Sequence, residues 1–272
     1  TETDLEAART LVNNLPKGTD KTSLTERLDA VEAKILAIKN PSGEGTYDNP
    51  YVVTSVIQFI SAMNLAYNEH PYDTATIHLA ADIDLSGINW QPLGTTSKPM
   101  DVSIYGNGHT IKNLTVNSTS NYQGLVGYAD YIHVNGVTFE SPNIKGGSYV
   151  GVVAGQAKIV ELNKVEVNNP TVHATGKYAG GIAGLTNEHF RGWHSISEAS
   201  EGGLYINGGK IFAAGGYAGG LTGSSTYSAA EYGSIYINEV FVNTNVSSNG
   251  SYVGGLFGEY TNTSSTEKSF RN

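Results

Sequence analysis

Tyr252-Val253-Gly254-Gly255-Leu256-Phe257-Gly258 is the last and clearest copy of a phrase that recurs in this 272-residue sequence. Earlier copies begin at Tyr122, Tyr149, Tyr178 and Tyr217, so that successive tyrosines are 27, 29, 39 and 35 residues apart. Repetition at a period of roughly 20 to 50 residues is the signature of a stacked array, in which no unit buries its apolar face alone. The repeat therefore predicts a solenoid.

The glycines of this phrase predict tight corners between stacked coils. Coils in such a stack lie about 4.8 Å apart, which leaves little room for a side chain at a corner. Glycine alone accepts positive φ and a close backbone approach without strain. The structural glycines of the repeat are Gly124, Gly127, Gly151, Gly155, Gly180, Gly184, Gly219, Gly223, Gly254 and Gly258.

A second phrase, in which apolar residues alternate with variable ones before asparagine, precedes four of the copies. Such alternation is expected of a strand with one buried face. We expect the asparagines to align and to bond amide to amide along the stack. We also expect Tyr205 and Tyr236 to form an exposed aromatic ladder, which stiffens the stack or stacks on sugar rings. The four copies are Ile132-His133-Val134-Asn135, Val160-Glu161-Leu162-Asn163, Leu204-Tyr205-Ile206-Asn207 and Ile235-Tyr236-Ile237-Asn238.

The two phrases together predict a mainly β protein, a right-handed parallel β-helix, and the composition agrees. Glycine occurs 33 times and tyrosine 17 times, while charged residues make up only 15%. The formal net charge is −9 and there is no basic run, which excludes a nucleic-acid-binding footprint. The absence of cysteine excludes disulfides and cysteine-zinc sites.

The sequence contains no apolar run long enough to cross a bilayer and no signal peptide, so we expect no direct membrane insertion. Because the chain begins at Thr1 rather than at methionine, we expect it to be a mature or excised part of a longer protein. Other modules of the same parent chain are therefore expected partners.

Residues 1–40 have helical rather than strand periodicity. Capping boxes at Thr3-Asp4-Leu5-Glu6 and Ser23-Leu24-Thr25-Glu26 predict two helix starts. The proline- and glycine-containing turn at residues 16–20 lies between them. The segment is therefore predicted to be an antiparallel helical hairpin or spacer.

Residues 41–75 are predicted to form a linker and an N-terminal cap, followed by the β-helix over residues 76–272. Ser55 and Gln58 form a third capping box, which opens a helix that we expect to cover the first coil. Solenoids need such a cover because an exposed terminal coil is a sticky edge. The side chains expected to face inward from this helix are Ile57, Ile60 and Leu65.

The order of motifs resembles the GLUG-repeat β-helix over roughly residues 46–260. This family occurs in bacterial surface and secreted proteins, including adhesin-like proteins and non-catalytic regions of IgA-cleaving metallopeptidases. The resemblance implies an extracellular β-helix. It departs from the pattern at Tyr122, where the copy is one residue shorter, and at Val152, which replaces a glycine. The motifs that carry it are Ala81-Asp82-Ile83-Asp84-Leu85, Trp90-Gln91-Pro92-Leu93-Gly94, Gly106-Asn107-Gly108-His109-Thr110-Ile111-Lys112-Asn113-Leu114 and the repeated Tyr-x-Gly-Gly-Leu-x-Gly phrase.

A second, shorter resemblance concerns the N-terminal segment. Residues 15–22, with the helix that follows, are similar to helical spacers between modules of Gram-positive surface proteins. This similarity implies attachment to a bacterial cell surface or secretion.

Few residues are arranged for metal chemistry. His189 and His194 are five apart, a spacing that does not place both on one helical face as a metallopeptidase requires. Asp82 and Asp84 share one face of a strand and could hold Ca²⁺, or they could instead accept hydrogen bonds from backbone amides at the following turn. The sequence thus implies no cofactor, with Ca²⁺ as the alternative.

The segments between the repeats vary in length, and such insertions are the usual place for recognition on a solenoid. Nineteen residues separate Gly184 from the next predicted strand, and eleven follow Gly223. Aromatic and arginine side chains in these insertions are candidates for ligand contacts, or they fold back over the sheet. The candidates are Phe190, Arg191, Trp193, Tyr227 and Tyr232.

Catalysis is not expected. A polysaccharide-active β-helix enzyme would place carboxylates at equivalent positions of successive coils, whereas those positions hold His133, Glu161, Tyr205 and Tyr236, with no Arg or Lys beside a carboxylate. We therefore expect a non-catalytic, monomeric, extracellular module that acts as a stalk or display element in adhesion or recognition of a host glycan or matrix protein. The alternatives are a substrate-positioning region of a larger secreted peptidase and a polysaccharide-active enzyme.

Overall fold

The computed structural model describes residues 2–70, 73–192, 203–227, 235–237 and 239–262. In these ranges three helices and twenty strands alternate with short turns. The helices are α1 (Glu2–Asn13), α2 (Thr19–Lys39) and α3 (Val56–Glu69). The strands are β1 (Tyr51–Val53), β2 (Ala75–Leu79), β3 (Ile83–Asp84), β4 (Met100–Tyr105), β5 (Thr110–Lys112), β6 (Thr115–Asn117), β7 (Val126–Glu140), β8 (Asn143–Gly146), β9 (Val150–Gly151), β10 (Ala154–Asn168), β11 (Thr171–Ala174), β12 (Ala179–Gly180), β13 (Ala183–Gly192), β14 (Leu204–Ala213), β15 (Tyr217–Gly219), β16 (Thr222–Tyr227), β17 (Ile235–Ile237), β18 (Val240–Ser248), β19 (Tyr252–Gly254) and β20 (Phe257–Asn262).

The helices α1 and α2 are joined across the hairpin by Arg9, which donates to Asp29 at 2.7 Å and also pairs with Glu32. The predicted capping boxes at Thr3 and Ser23 are wrong, because α1 begins at Glu2 and α2 at Thr19, which places both residues inside helices. The helix α2 includes the polar residues that precede Ser23, so the Ser23 hydroxyl does not lie at the helix N-terminus and does not cap it.

The helix α3 packs over the first coil, as predicted. Its N-cap Ser55 accepts from the Gln58 amide at 3.3 Å, but the Gln58 side chain accepts from the Thr54 amide rather than reaching back to Ser55. The predicted inward face was wrong only at Ile57, whose side chain is 51% exposed, because Ile60 and Leu65 are partly buried against the core. The residues that α3 buries are Phe59, Ala62, Met63 and Ala66.

The strands form a parallel β-helix, which confirms the predicted mainly β class. The main ladder runs in the order β1-β2-β4-β7-β10, and every pairing between named strands is parallel in the described part of the chain. A smaller sheet in the order β19-β15-β12-β9 closes one corner. Because β1 already pairs with β2, the ladder begins within residues 41–75, the segment predicted as linker and cap.

The two longest strands, β7 and β10, each bend once and so cover two sides of the coil. The strands β7 and β10 bend at Gly136 (φ 64°) and Lys164 (φ 52°). We call the part before this bend the first arm and the part after it the second arm. The first arm of β10 pairs with β13 and its second arm with β14, so the next coil contributes two separate strands. Residues on both arms alternate between the core and the outer surface.

This pairing corrects the alignment of the second phrase. Asn163 pairs with Asn135 as predicted, but Asn207 pairs with Asn168 on the second arm. A single amide contact follows, in which Asn207 Nδ2 donates to Asn168 Oδ1 at 3.1 Å. The buried Oδ1 of Asn163 has no hydrogen-bond partner among the described residues, and Asn238 lies outside them.

The repeat glycines are needed for close approach and not for positive φ. None of the ten has positive φ, whereas Tyr122, Tyr149 and Tyr178, which open three copies of the phrase, have φ of 60°, 62° and 66°. A Cβ placed on Gly151 would lie 2.5 Å from the Cα of Ala183 in the next coil. The backbones of adjacent coils therefore exclude a side chain at this corner, which confirms one of the two predicted reasons for glycine.

The five tyrosines that open the repeats stack on one another along the helix. Ring centroids are 4.8 Å apart for Tyr122 and Tyr149, 5.0 Å for Tyr149 and Tyr178, 4.7 Å for Tyr178 and Tyr217, and 4.6 Å for Tyr217 and Tyr252. The interplanar angles range from 4° to 24°. This tyrosine ladder links the five coils that carry the repeated phrase at the same corner.

We expect Tyr178→Ala to destabilise the fold more than Tyr252→Ala. Tyr178 stacks on two rings, whereas Tyr252 stacks on one. Each aromatic pair contributes about 0.5–1.5 kcal/mol beyond its buried area, so the two free energies of unfolding should differ by about 1 kcal/mol. Urea denaturation measures both values. Equal losses would show that the ladder contributes nothing beyond the burial of each ring.

Candidate functional site

The outer face of the first arm carries a hydrogen-bonded cluster. Tyr131 Oη donates to Glu161 Oε2 at 2.9 Å, and Arg191 Nη1 donates to Glu161 Oε1 at 2.9 Å. Burial and the bond to Glu161 raise the pKa of Tyr131 well above its usual range. Burial lowers the pKa of His133, which pairs with Glu161 in register, so that its neutral form is favoured.

This cluster corrects the expectation that no Arg or Lys stands beside a carboxylate, because Arg191 lies directly against Glu161. Both carboxylate oxygens accept a hydrogen bond from a neighbouring coil. In the described rungs, the outward column Ser103, His133, Glu161 and Arg191 holds one carboxylate, whereas most glycoside hydrolases use two. The cluster therefore ties three coils together through Glu161.

The outer face of the second arm is different, because it exposes aromatic rings. Tyr205 is 37% exposed and Phe241, its partner in the next coil, is 52% exposed. The neighbours of Tyr205 in sequence, Leu204 and Ile206, are fully buried, and the residues on either side of Phe241 are half-buried. The register of the ladder gives two outward columns, Thr110, Thr138, Glu166, Tyr205 and Phe241 and, beside it, Lys112, Glu140, Asn168, Asn207 and Asn243.

A groove of about 710 Å³ lies along the bend between the two arms. Glycines at positions 108, 136 and 203 leave it open on three coils, and Lys164 occupies the equivalent position on the coil between the last two. Its charged lining residues are Lys164 and Glu166, and Tyr205 lies at one end of the groove. Its other polar lining residues are Asn107, Asn135 and Thr138. This groove and the exposed rings of the second arm form one surface, which we call the second-arm surface.

The predicted ligand residues do not come together. Phe190 is fully buried in β13, where it pairs with Val160 and Ile235, so the prediction that it lies in an exposed insertion is wrong. Arg191 belongs to the cluster around Glu161. The expected insertion after Gly184 is shorter than predicted because β13 continues to Gly192.

The remaining predicted ligand residues stay untested. Tyr227 ends β16, where it pairs with Asn262. Trp193 and Tyr232 lie outside the described residues. A role for these three side chains in binding remains a prediction.

The exposed ladder of Tyr205 and Tyr236 was also predicted wrongly. Tyr205 pairs with Glu166 and Phe241, whereas Tyr236 pairs with Arg191 on the first arm. The two tyrosines therefore lie on different sides of the coil.

Asp82 and Asp84 adopt the hydrogen-bonded arrangement that was the alternative to a calcium site. Asp82 accepts from Lys112 Nζ at 2.9 Å and from the Thr110 amide at 3.0 Å. Asp84 accepts from the Ser86 amide at 3.0 Å and from Asn113 Nδ2 at 2.8 Å. Within the described ranges, no three His, Asp or Glu side chains are grouped to hold a metal ion. These carboxylates therefore join the coil of β2 and β3 to the coil of β4 and β5.

The pKa of Asp82 is lowered to about 2, first by the hydrogen bond from Lys112 and then by that from Thr110. A carboxyl whose folded pKa is depressed stabilises the fold above its unfolded pKa, and this stability is lost as pH falls through about 2. We expect NMR titration to give a midpoint near this value, and Lys112→Met to move it up toward 3.8. Asp84 serves for comparison and should move less, because its lowered pKa depends first on Ser86 and Asn113 and only last on Lys112. An unchanged Asp82 midpoint in the variant would contradict the assignment to Lys112.

Three features of the surface were missed in the sequence. The tyrosine ladder could have been predicted from the constant position of tyrosine in every repeat, because equivalent residues of stacked coils lie about 4.8 Å apart. Phe241 was detectable from the alternation of Val240, Phe241 and Val242, which predicts an outward ring. The groove had no sequence signal, because it depends on which coils are neighbours.

The fold defines the class of protein as a parallel β-helix with an N-terminal helical segment. A crystal structure of a "putative immunoglobulin A1 protease" from Bacteroides ovatus matches it with a TM-score of 0.59 and 22% identity. The match covers 81% of this chain and 65% of that chain. At this level of identity the match shows a shared fold alone. No helix among the described residues is long and apolar enough to span a bilayer.

Two curated proteins are similar in sequence to parts of this chain. Halomucin of Haloquadratum walsbyi is 30% identical over 155 residues, which are 53% of this chain and 2% of halomucin. A "Putative Gly-rich membrane protein" of Evansella cellulosilytica is 31% identical over 126 residues, which are 41% of this chain and 14% of that protein. The chain thus spans a small fraction of both relatives. No family model matches, so membership of the GLUG-repeat family stays a prediction.

Proposed function

We propose that this chain is a non-catalytic extracellular module of a bacterial, Gram-positive surface or secreted protein. It acts as a rigid, monomeric display element that contributes to adhesion or to recognition of a host glycan or matrix protein. The observation that carries the proposal is the tyrosine ladder beside a continuous parallel ladder, in which each coil is held to the next at several points. Such a stack presents an outer surface whose composition changes from coil to coil while its backbone does not.

The second-arm surface supports a recognition role over a purely mechanical one. Large apolar side chains point inward in most of the β-helix, yet Tyr205 and Phe241 lie outward on adjacent coils. Exposed aromatic rings next to polar side chains are typical of binding surfaces. A spacer would need no such rings.

An array of glycans and host-matrix proteins tests the proposal. The folded chain should bind at least one class, the urea-unfolded chain should not, and chromatography of bound glycans should show no shortened products. Release of shorter products would instead establish a polysaccharide-active enzyme. Absence of all binding would leave a spacer, or a substrate-positioning region of a larger secreted peptidase.

A further inference from the structure

We propose that the second-arm surface binds an uncharged oligosaccharide along the axis of the β-helix, with Tyr205 and Phe241 as stacking platforms. This inference rests on the proposed recognition function and specifies its ligand class. Both rings project from strands whose alternate residues are buried or half-buried, so their outward orientation follows from the pleat. Neighbouring coils are about 4.8 Å apart, which is close to the length of one sugar unit in an extended chain.

The side chains around these rings have the donors and acceptors that sugar hydroxyls require. Glu166 stands directly beside Tyr205 on the preceding coil. Asn207 lies two residues beyond Tyr205 and Asn243 two beyond Phe241, on the same face. A side-chain amide both donates and accepts hydrogen bonds, so it can bond to a sugar hydroxyl whether that hydroxyl donates or accepts. The apolar C–H face of a pyranose ring can then rest on an aromatic ring while its equatorial hydroxyls meet amides.

The groove extends this surface over further coils. It continues from Tyr205 past Glu166 and Thr138 to Asn107. Glycines at positions 108, 136 and 203 add no side chain to it, whereas Lys164 lines it from the intervening coil, at the position that corresponds to Gly136. A ligand of several units can therefore contact polar groups in the groove and aromatic rings at its end.

The charges favour an uncharged ligand over a sulfated or uronic-acid chain. Lys164 and Glu166 carry opposite charges in the groove. The whole chain has a net charge of −9, which repels polyanions at low ionic strength. A basic patch of the kind that binds sulfated glycans would need several clustered cations.

Isothermal titration calorimetry with neutral hexasaccharides tests the assignment. Cello-, xylo-, manno- and chito-oligosaccharides are compared with a heparin oligosaccharide and with matrix-derived peptides. We expect a neutral series to bind, with affinity rising with chain length, and both Tyr205→Ala and Phe241→Ala to weaken binding at least tenfold. Tyr260→Ala is the matched control, because its ring is 36% exposed on another side of the coil, and it should change affinity less than twofold. Circular dichroism of each variant verifies folding.

Three outcomes would overturn the inference. Neutral binding that survives the Tyr205→Ala, Phe241→Ala double variant would place the site elsewhere and leave the recognition function intact. Binding of heparin or of peptides alone would also keep that function and reject the ligand class. Absence of binding to every probe, together with an empty glycan and matrix array, would reject both proposals.

Discussion

Phe190→Ala is expected to lower the free energy of unfolding by about 3–5 kcal/mol, the usual cost of removing a buried aromatic ring. Phe190 is fully buried in β13 and lies edge-on to Phe257 of the second coil after it, at 6.3 Å between ring centroids. Its removal leaves a cavity between stacked coils whose backbones are held by parallel pairing on both sides. The surrounding coils therefore cannot collapse to fill it.

Phe241→Ala is the matched control for this measurement. It removes the same side chain from a strand in the next coil, but that ring is 52% exposed, so the loss should stay within about 0.5 kcal/mol. Urea denaturation with an unchanged slope gives both values. Similar, small losses of unfolding free energy in the two variants would mean that Phe190 lies in an exposed insertion. They would also reject the pairing of β10 with β13.

Gly220→Ala should destabilise the fold by about 3 kcal/mol, at the upper end of the cost of overpacking. The added methyl group would lie 2.5 Å from Val242 Cγ1 and would overlap the carbonyl oxygen of Gly255 in the next coil. A clashing side chain could change its rotamer, but the backbone of a coil in the ladder cannot move away without breaking its strand pairing.

Gly255→Ala tests the same position of the repeated phrase where no coil follows in the described chain. A Cβ on Gly255 meets no atom within 4 Å, and this residue does not have positive φ. Alanine should therefore be neutral or stabilise by about 0.4–1 kcal/mol, through the lower entropy of the unfolded chain. Thermal unfolding of the two variants makes the comparison. Equal losses would mean that this glycine is required for backbone conformation and not for stacking.

The sequence predicted the architecture well because its signals are local and repeated. The Tyr-Gly phrase marks the same corner of five coils, and strand alternation marks the inward face. The helix start at Ser55 was predictable because a cap depends on a few consecutive residues. The buried face of α3 was less certain, since it depends on which coil lies beneath the helix, and Phe59 rather than Ile57 was buried.

The candidate surface was less predictable, and the register shows why. The strand β10 carries the alternating phrase twice, as Val160-Glu161-Leu162-Asn163 on the first arm and as Val165-Glu166-Val167-Asn168 on the second. Either copy could pair with Leu204-Tyr205-Ile206-Asn207 without placing a polar residue in the core. Because Lys164 has positive φ, inward and outward residues alternate again after the bend. The burial pattern of the sequence therefore does not distinguish the two possible pairings.

By itself, the sequence determined that this protein is a stack of coils, where the coils turn, and which residues cannot carry a side chain at those corners. These properties depend on neighbours along the chain and on a period that every coil shares. Only the tertiary structure decided that Phe190 is buried, that Arg191 pairs with Glu161, and that Tyr205 stands beside Phe241. Each of these contacts joins residues about 30 to 40 positions apart. Their physical basis is the pairing of whole strands, in which two similar segments compete for one set of backbone hydrogen bonds.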